Sequence, residues 1–193
     1  ALRAGSVRNG LVVTSDKLLA RPGDTAEQFM GAGSAAFIFT GAEERSVASI
    51  EASSSYSTEF TDRWRPEGEA FPRSGIERFS RDYGYMDHVT TSIRKLLEIQ
   101  KSKPEEYAHV VITEPDPRRI AAVAKATGFK ESQIAPGLLN QFIGDTGTAS
   151  MFLSLAAALE KARPHERILA VSYGDGGSDA FEIKVMEAAQ KMQ

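Results

Sequence analysis

Cysteine is absent from all 193 residues. That absence excludes disulfides, thiolate metal ligands and thiol nucleophiles within this chain. Histidine is scarce: three are present, and no pair has a zinc-ligand spacing such as His-Glu-x-x-His, so no metal is expected. His88 falls in an amphipathic stretch, His109 just before a strand and His165 in a turn, and a lone histidine without a partner is more often structural or solvated than chemical. An excess of one charge is also lacking. Lys and Arg number 23 against 26 Asp and Glu, a formal net charge of -3 with the signs interspersed, so no basic face is expected to bind nucleic acid or an anionic membrane surface. No apolar run approaches the length of a membrane span, and Ala1-Leu2-Arg3-Ala4-Gly5 lacks the charged-then-apolar layout of a signal peptide, so the expected location is cytoplasmic.

What is present is an ordinary globular composition, 41% hydrophobic and 25% charged, sufficient for a sizeable core. Leu11-Val12-Val13 and Ala35-Ala36-Phe37-Ile38-Phe39 read as strands, and 46–58 alternates as a longer one. From Thr61 to Gly84, Pro66, Gly68, Pro72 and Gly75 interrupt any helical period, which predicts a long irregular loop, often a functional feature. Met86, Val89, Ile93, Leu96 and Leu97 then recur at helical spacing. Val110-Val111-Ile112 is a buried strand, and Asp116 and Pro117 supply an N-cap and first-turn proline for a helix through Thr127, ended by Gly128. The stretch 149–159 is apolar nearly all round, which predicts a helix buried between layers. Arg167-Ile168-Leu169-Ala170-Val171 is a strand, and Gly174, Gly176 and Gly177 allow a tight turn into the alternating strand 180–185.

Strands alternating with helices, one helix fully buried, and a closing hairpin predict an α/β layered fold. Because the chain opens on two strands without preceding units, the sheet is expected to have an exposed edge that needs a partner.

Several ordered segments carry a resemblance to a known family. They are Gly31-Ala32-Gly33-Ser34-Ala35-Ala36-Phe37, Trp64, Phe71-Pro72-Arg73, Arg78-Phe79-Ser80, Gly128-Phe129, Pro136-Gly137-Leu138, Ile143-Gly144 and the stretch from Arg167 to Phe181. In order and spacing they resemble 3-hydroxy-3-methylglutaryl-CoA (HMG-CoA) synthases of the thiolase superfamily. The resemblance implies a thiolase-like layered fold, with residues 1–44 as the end of the N-terminal half and 45–193 as the C-terminal βαβαβαββ half. It also implies acyl-CoA as substrate, no covalently bound cofactor, and a homo- or hetero-oligomer.

The family's chemistry uses a cysteine, a glutamate, and a histidine with a nearby asparagine at the thioester oxygen. The resemblance places the cysteine and glutamate before this chain, so the expected partner is an N-terminal half or a Cys-bearing thiolase-like chain. Where the family has His-Gln-Pro-Asn this sequence has Thr113-Glu114-Pro115-Asp116, and where it has asparagine after Ile143-Gly144 stands Asp145. Thr113 and Asp145 are therefore the residues at the family's catalytic positions. A threonine hydroxyl cannot shuttle a proton near neutral pH, and an ionised Asp145 would repel an oxyanion unless burial kept it protonated. Arg118 matches a family lysine that contacts coenzyme A, and Arg78 and Ser80 match substrate-contacting positions. A solvated arginine and turn chemistry are the alternatives there. The segment from Asp145 to Thr148 either aims N–H groups into a site or caps the following helix. Three functions remain open: one half of an acyl-CoA condensing acyltransferase, a non-catalytic thiolase-fold subunit that scaffolds a partner, or an altered lyase or hydrolase that uses Asp145.

Overall fold

The computed structural model describes residues 6–42, 45–114 and 116–192. The expected boundary at residue 44 and Pro115 of the Thr113 to Asp116 motif lie outside the described residues. Eight strands are present among the described residues: β1 (Asn9–Lys17), β2 (Ala32–Thr40), β3 (Ala48–Ser57), β4 (Arg63–Trp64), β5 (Arg73–Ser74), β6 (His109–Ile112), β7 (Arg167–Gly174) and β8 (Gly177–Val185). Six α-helical segments accompany them: α1 (Glu77–Phe79), α2 (Asp87–Gln100), α3 (Pro117–Thr127), α4 (Glu131–Ile134), α5 (Asn140–Ile143) and α6 (Ser150–Lys161).

The central sheet has the order β3-β8-β7-β6, with β6 and β7 parallel and the other pairs antiparallel. Its side chains alternate between two cores, as the period of two demands. Val110 and Ile112 of β6 and Leu169 and Val171 of β7 point to one face, where Val89, Ile93 and Leu96 of α2 and Ile120 and Val123 of α3 cover them. Val111, Ile168 and Ala170 point to the other face and meet Leu155, Ala158 and Leu159 of α6. Each fully buried aliphatic side chain of this kind contributes about 1.5–3 kcal/mol.

Helix α6 is covered on its far side as well. Phe37 of β2 packs on Phe152 with ring centroids 5.0 Å apart. The all-round apolar stretch thus serves as a layer between the four-stranded sheet and the hairpin β1-β2, as its composition predicts. In that hairpin Leu11 lies opposite Ile38, and both are exposed, at 65% and 73%. The closing hairpin β7-β8 turns through Asp175 (φ 43°) and Gly176 (φ 77°), the two positive-φ positions that a tight hairpin loop needs.

One sequence expectation changes. The segment expected to be a loop as far as Gly84 becomes helical at Glu77: α1 leads through a π-helical stretch (Ser80–Met86) directly into α2. The wider π turn breaks the 3.6-residue apolar spacing that would have marked a helix. Gly84 fits there because a Cβ would come within 2.7 Å of both Phe60 and Tyr173 Oη. Before α6, Met30 and Asp145 form a single parallel bridge. It follows Gly144 (φ 73°), whose left-handed backbone interrupts any extended run. Among the described residues, no helix is long and apolar enough to cross a membrane.

Candidate functional site

The carboxyl end of β6 is where a parallel α/β sheet presents side chains to a ligand. There the chain leaves Ile112 through half-buried Thr113 and Glu114 before α3 begins. Asp116 caps α3, its Oδ1 accepting from the Arg118 backbone N–H at 2.9 Å, and Pro117 occupies the first turn. These are the roles their residue types predict.

The next two residues diverge. Arg118 extends into solvent, 89% exposed, and grips the Asp116 carboxylate at 2.8 Å. Its hydrogen bonds hold Asp116 below the usual carboxylate range. Arg119 folds back and donates to Glu114 Oε1 at 3.1 Å and to Glu77 Oε1 of α1 at 3.0 Å.

Glu114 is the most perturbed carboxyl of this region. Its side chain is 12% exposed, and burial pushes it up to about 7. Arg119 and the Asp116 backbone N–H oppose that shift, while the charges of Asp145 and Asp116 add to it. Loss of hydration therefore outweighs one shared guanidinium. Beside it lies Tyr85, 2% exposed, whose hydroxyl has no hydrogen-bond partner among the described residues. Burial, and then the Glu114 charge, raise this phenol well above its ordinary value, against the pull of Arg119.

Asp145 approaches from another element. Asn140 of α5 donates from Nδ2 to the Glu114 backbone carbonyl at 2.9 Å, tying α5 to the end of β6. After Gly144 the Asp145 N–H donates to the Phe29 carbonyl, and Gly31 N–H donates to the Asp145 carbonyl at 2.8 Å. The Asp145 Oδ1 accepts from Gly147 N–H at 2.9 Å and from Ser150 Oγ at 3.2 Å. These bonds close the turn into the 3-10 segment Gly147–Ala149 and tie it to Ser150, the first residue of α6.

The sequence-predicted residues are thus divided. The Asp145 charge reaches Glu114, the residue after Thr113, but no hydrogen bond joins Thr113 to Asp145 among the described residues. Arg118 lines an open groove of about 440 Å³ with Glu77, Arg81, Asp82 and Arg119. Arg78, 85% exposed, pairs with Asp82 on the rim of that groove at 3.7 Å. Ser80, half-buried, starts the π-helical stretch on the same segment. A second open groove of about 530 Å³ runs past Phe29, Met30, Asn140, Phe142 and Gly144. Among the described residues no cluster of three or more His, Asp and Glu is arranged to hold a metal. Sequence reasoning missed Glu114, Arg119 and Tyr85. The one available signal was a charged residue directly after a buried strand and before a capped helix.

The family model for the C-terminal part of 3-oxoacyl-[acyl-carrier-protein (ACP)] synthase III matches residues 97–181. The hydroxymethylglutaryl-CoA synthase of Methanocaldococcus jannaschii is 38% identical over 193 residues, which is 100% of this chain and 55% of the relative. A crystal structure of HMG-CoA synthase complexed with CoA superposes with a TM-score of 0.82 at 20% identity, covering 95% of this chain and 50% of that one. The 3-oxoacyl-(acyl carrier protein) synthase III (FabH) of Pseudomonas aeruginosa PAO1 also gives 0.82, at 19% identity, over 96% and 61%. The chain spans about half the length of the curated relatives it matches.

Proposed function

Since this chain is HMG-CoA synthase-like and carries a thiolase-like C-terminal domain, we propose that it works as the C-terminal half of an acyl-CoA condensing acyltransferase. Residues 1–44 end the N-terminal half and 45–193 form the C-terminal half. A Cys-bearing N-terminal half, from a partner or from the same polypeptide, supplies the nucleophile this sequence lacks. The observation that carries this reading is the similarity over the full chain to little more than half of a relative. The hairpin β1-β2 supports it, since its Leu11 and Ile38 face is left uncovered by any described element.

In this reading Arg118 and Arg78 offer guanidinium groups to the phosphates of coenzyme A across the groove they border. Ser80 lies beside that path. Thr113 supplies a hydroxyl near the thioester, and Asp145 holds the entrance of α6 while contributing negative charge. The cysteine attacks the thioester, the acyl group moves to sulfur, and coenzyme A leaves. This chain's part is to hold the nucleotide and shape the acyl pocket.

The side-chain hydrogen bonds of Asp145 favour a second reading. A carboxylate occupied by Gly147 N–H and Ser150 Oγ is no substitute for an oxyanion donor, and a non-catalytic subunit that scaffolds a thiolase-type partner needs none. The two readings separate in one experiment. The chain is co-expressed with a Cys-bearing N-terminal half, and release of coenzyme A thiol from acetyl-CoA is followed. Thiol release that requires both halves supports the acyltransferase; a stable assembly that releases none supports the scaffold.

A further inference from the structure

The family pattern leaves one position chemically empty. The resemblance calls for an imidazole at the thioester oxygen, and Thr113 stands there. The residue after it is a carboxyl that the fold keeps out of water. Glu114 is 12% exposed and follows the carboxyl end of β6, the end at which parallel α/β sheets bind ligands. Its surroundings are arranged for one proton more than a simple ion pair would hold.

Arg119 of α3 divides its guanidinium between Glu114 and Glu77 of α1, so Glu114 receives only part of one positive charge. Asp145 and Asp116 press negative charge on it from two further segments, while the Asp116 backbone N–H gives some relief. From the π-helical stretch Tyr85 brings a buried hydroxyl that has no hydrogen-bond partner among the described residues. A buried hydroxyl without a partner is costly, and a functional role is one reason a fold retains such a group.

We propose that Glu114, in its protonated form, donates a hydrogen bond to the carbonyl oxygen of the bound thioester, with Arg119 and Tyr85 as positioning residues. The inference rests on the acyl-CoA reading above and assigns the oxyanion donor within it. A neutral carboxylic acid is a donor that an apolar site can keep at neutral pH. The proton stays on Glu114 while the thioester carbon is attacked and negative charge builds on oxygen; when the carbonyl re-forms, the hydrogen bond weakens and no proton is consumed. Burial, which raises the Glu114 carboxyl to about 7, brings it within reach of protonation at neutral pH when a ligand favours the neutral form.

The test reads protons and not turnover. The assembled protein is titrated calorimetrically with acetyl-CoA and with free coenzyme A, near pH 7.5, in two buffers of different ionisation enthalpy. Wild type is expected to take up a fraction of a proton on binding acetyl-CoA and none with coenzyme A, which lacks the thioester oxygen. Glu114→Gln donates an N–H without titrating, so it is expected to bind acetyl-CoA with no proton uptake. Thr113→Ala is expected to keep the uptake. Glu114→Asp, which retains a titrating carboxyl, restores part of it. Equal uptake for the two ligands in wild type, or unchanged uptake in Glu114→Gln, overturns the proposal and leaves the acyl-CoA reading standing. Failure of both ligands to bind overturns the two together. The wild-type comparison of ligands stands even if a variant does not fold.

Discussion

Arg119 reaches back from the first turn of α3 to place Nη1 3.1 Å from Glu114 Oε1. It does so while 23% exposed, against a partner that is 12% exposed. The pair is therefore screened less than a surface ion pair, and its loss leaves a carboxyl with little water to replace the guanidinium. Arg119→Met is expected to cost about 1–3 kcal/mol at pH 7, with a smaller loss at pH 5, where Glu114 is neutral. Urea denaturation at the two pH values checks this.

Glu114 also imposes a pH dependence on the wild type. Its native pKa, raised by burial to about 7, lies above the ordinary glutamate value of 4.5. The native state therefore holds more protons than the unfolded state between those values, and stability falls as pH rises through that window. The contribution amounts to at most about 3.5 kcal/mol. Glu114→Gln is expected to flatten the stability profile between pH 4.5 and 7, and a profile with the wild-type slope would assign the dependence to another group.

Asp145 allows a gain instead of a loss. Its Oδ1 accepts two hydrogen bonds at the start of α6, and an asparagine carbonyl accepts them equally. Asp145→Asn is expected to stay within about 0.5 kcal/mol of wild type, whereas Asp145→Ala loses about 1 kcal/mol with those two bonds. In the assembled acyltransferase Asp145→Asn exchanges a negative charge for an amide donor and is expected to raise thiol release about tenfold or more. A decrease would assign the carboxylate a direct role.

Leu11 and Ile38 face each other across β1 and β2 on the uncovered side of that hairpin. A charge there costs the isolated chain little, since both side chains already meet water. Leu11→Glu with Ile38→Lys is expected to leave the melting temperature of the chain within about 2 °C and to abolish its association with a Cys-bearing half in sedimentation. Unchanged association would move the interface elsewhere.

Gly84 is a packing requirement. A Cβ at this position would lie 2.7 Å from Phe60 Cε1 and from Tyr173 Oη, and that hydroxyl donates to Asp62 Oδ2 at 2.7 Å. Gly84→Ala is expected to destabilise by about 1–3 kcal/mol despite the higher helix propensity of alanine. Equilibrium denaturation reads the difference directly.

Much of the architecture was local enough for the sequence to determine it. The spacing of Val89, Ile93 and Leu96 fixed the buried face of α2, and Asp116-Pro117 with Gly128 fixed both ends of α3, because capping and amphipathic spacing act within a turn or two. The uniform apolarity of α6 predicted a layer on each side. The lack of cysteine settled what chemistry this chain cannot begin. Only the tertiary structure decided the rest. The helix from Glu77 was hidden because a π turn obeys no 3.6-residue rule, and its Gly84 is dictated by Phe60 and Tyr173, which are distant in sequence. Glu114 looked like a solvated residue before a cap. Its burial and raised pKa arise when Arg119 is shared with Glu77 and when Tyr85 and Asp145 converge from other segments. Desolvation and Coulomb energy depend on distance through space, and the order of residues along the chain does not contain that distance.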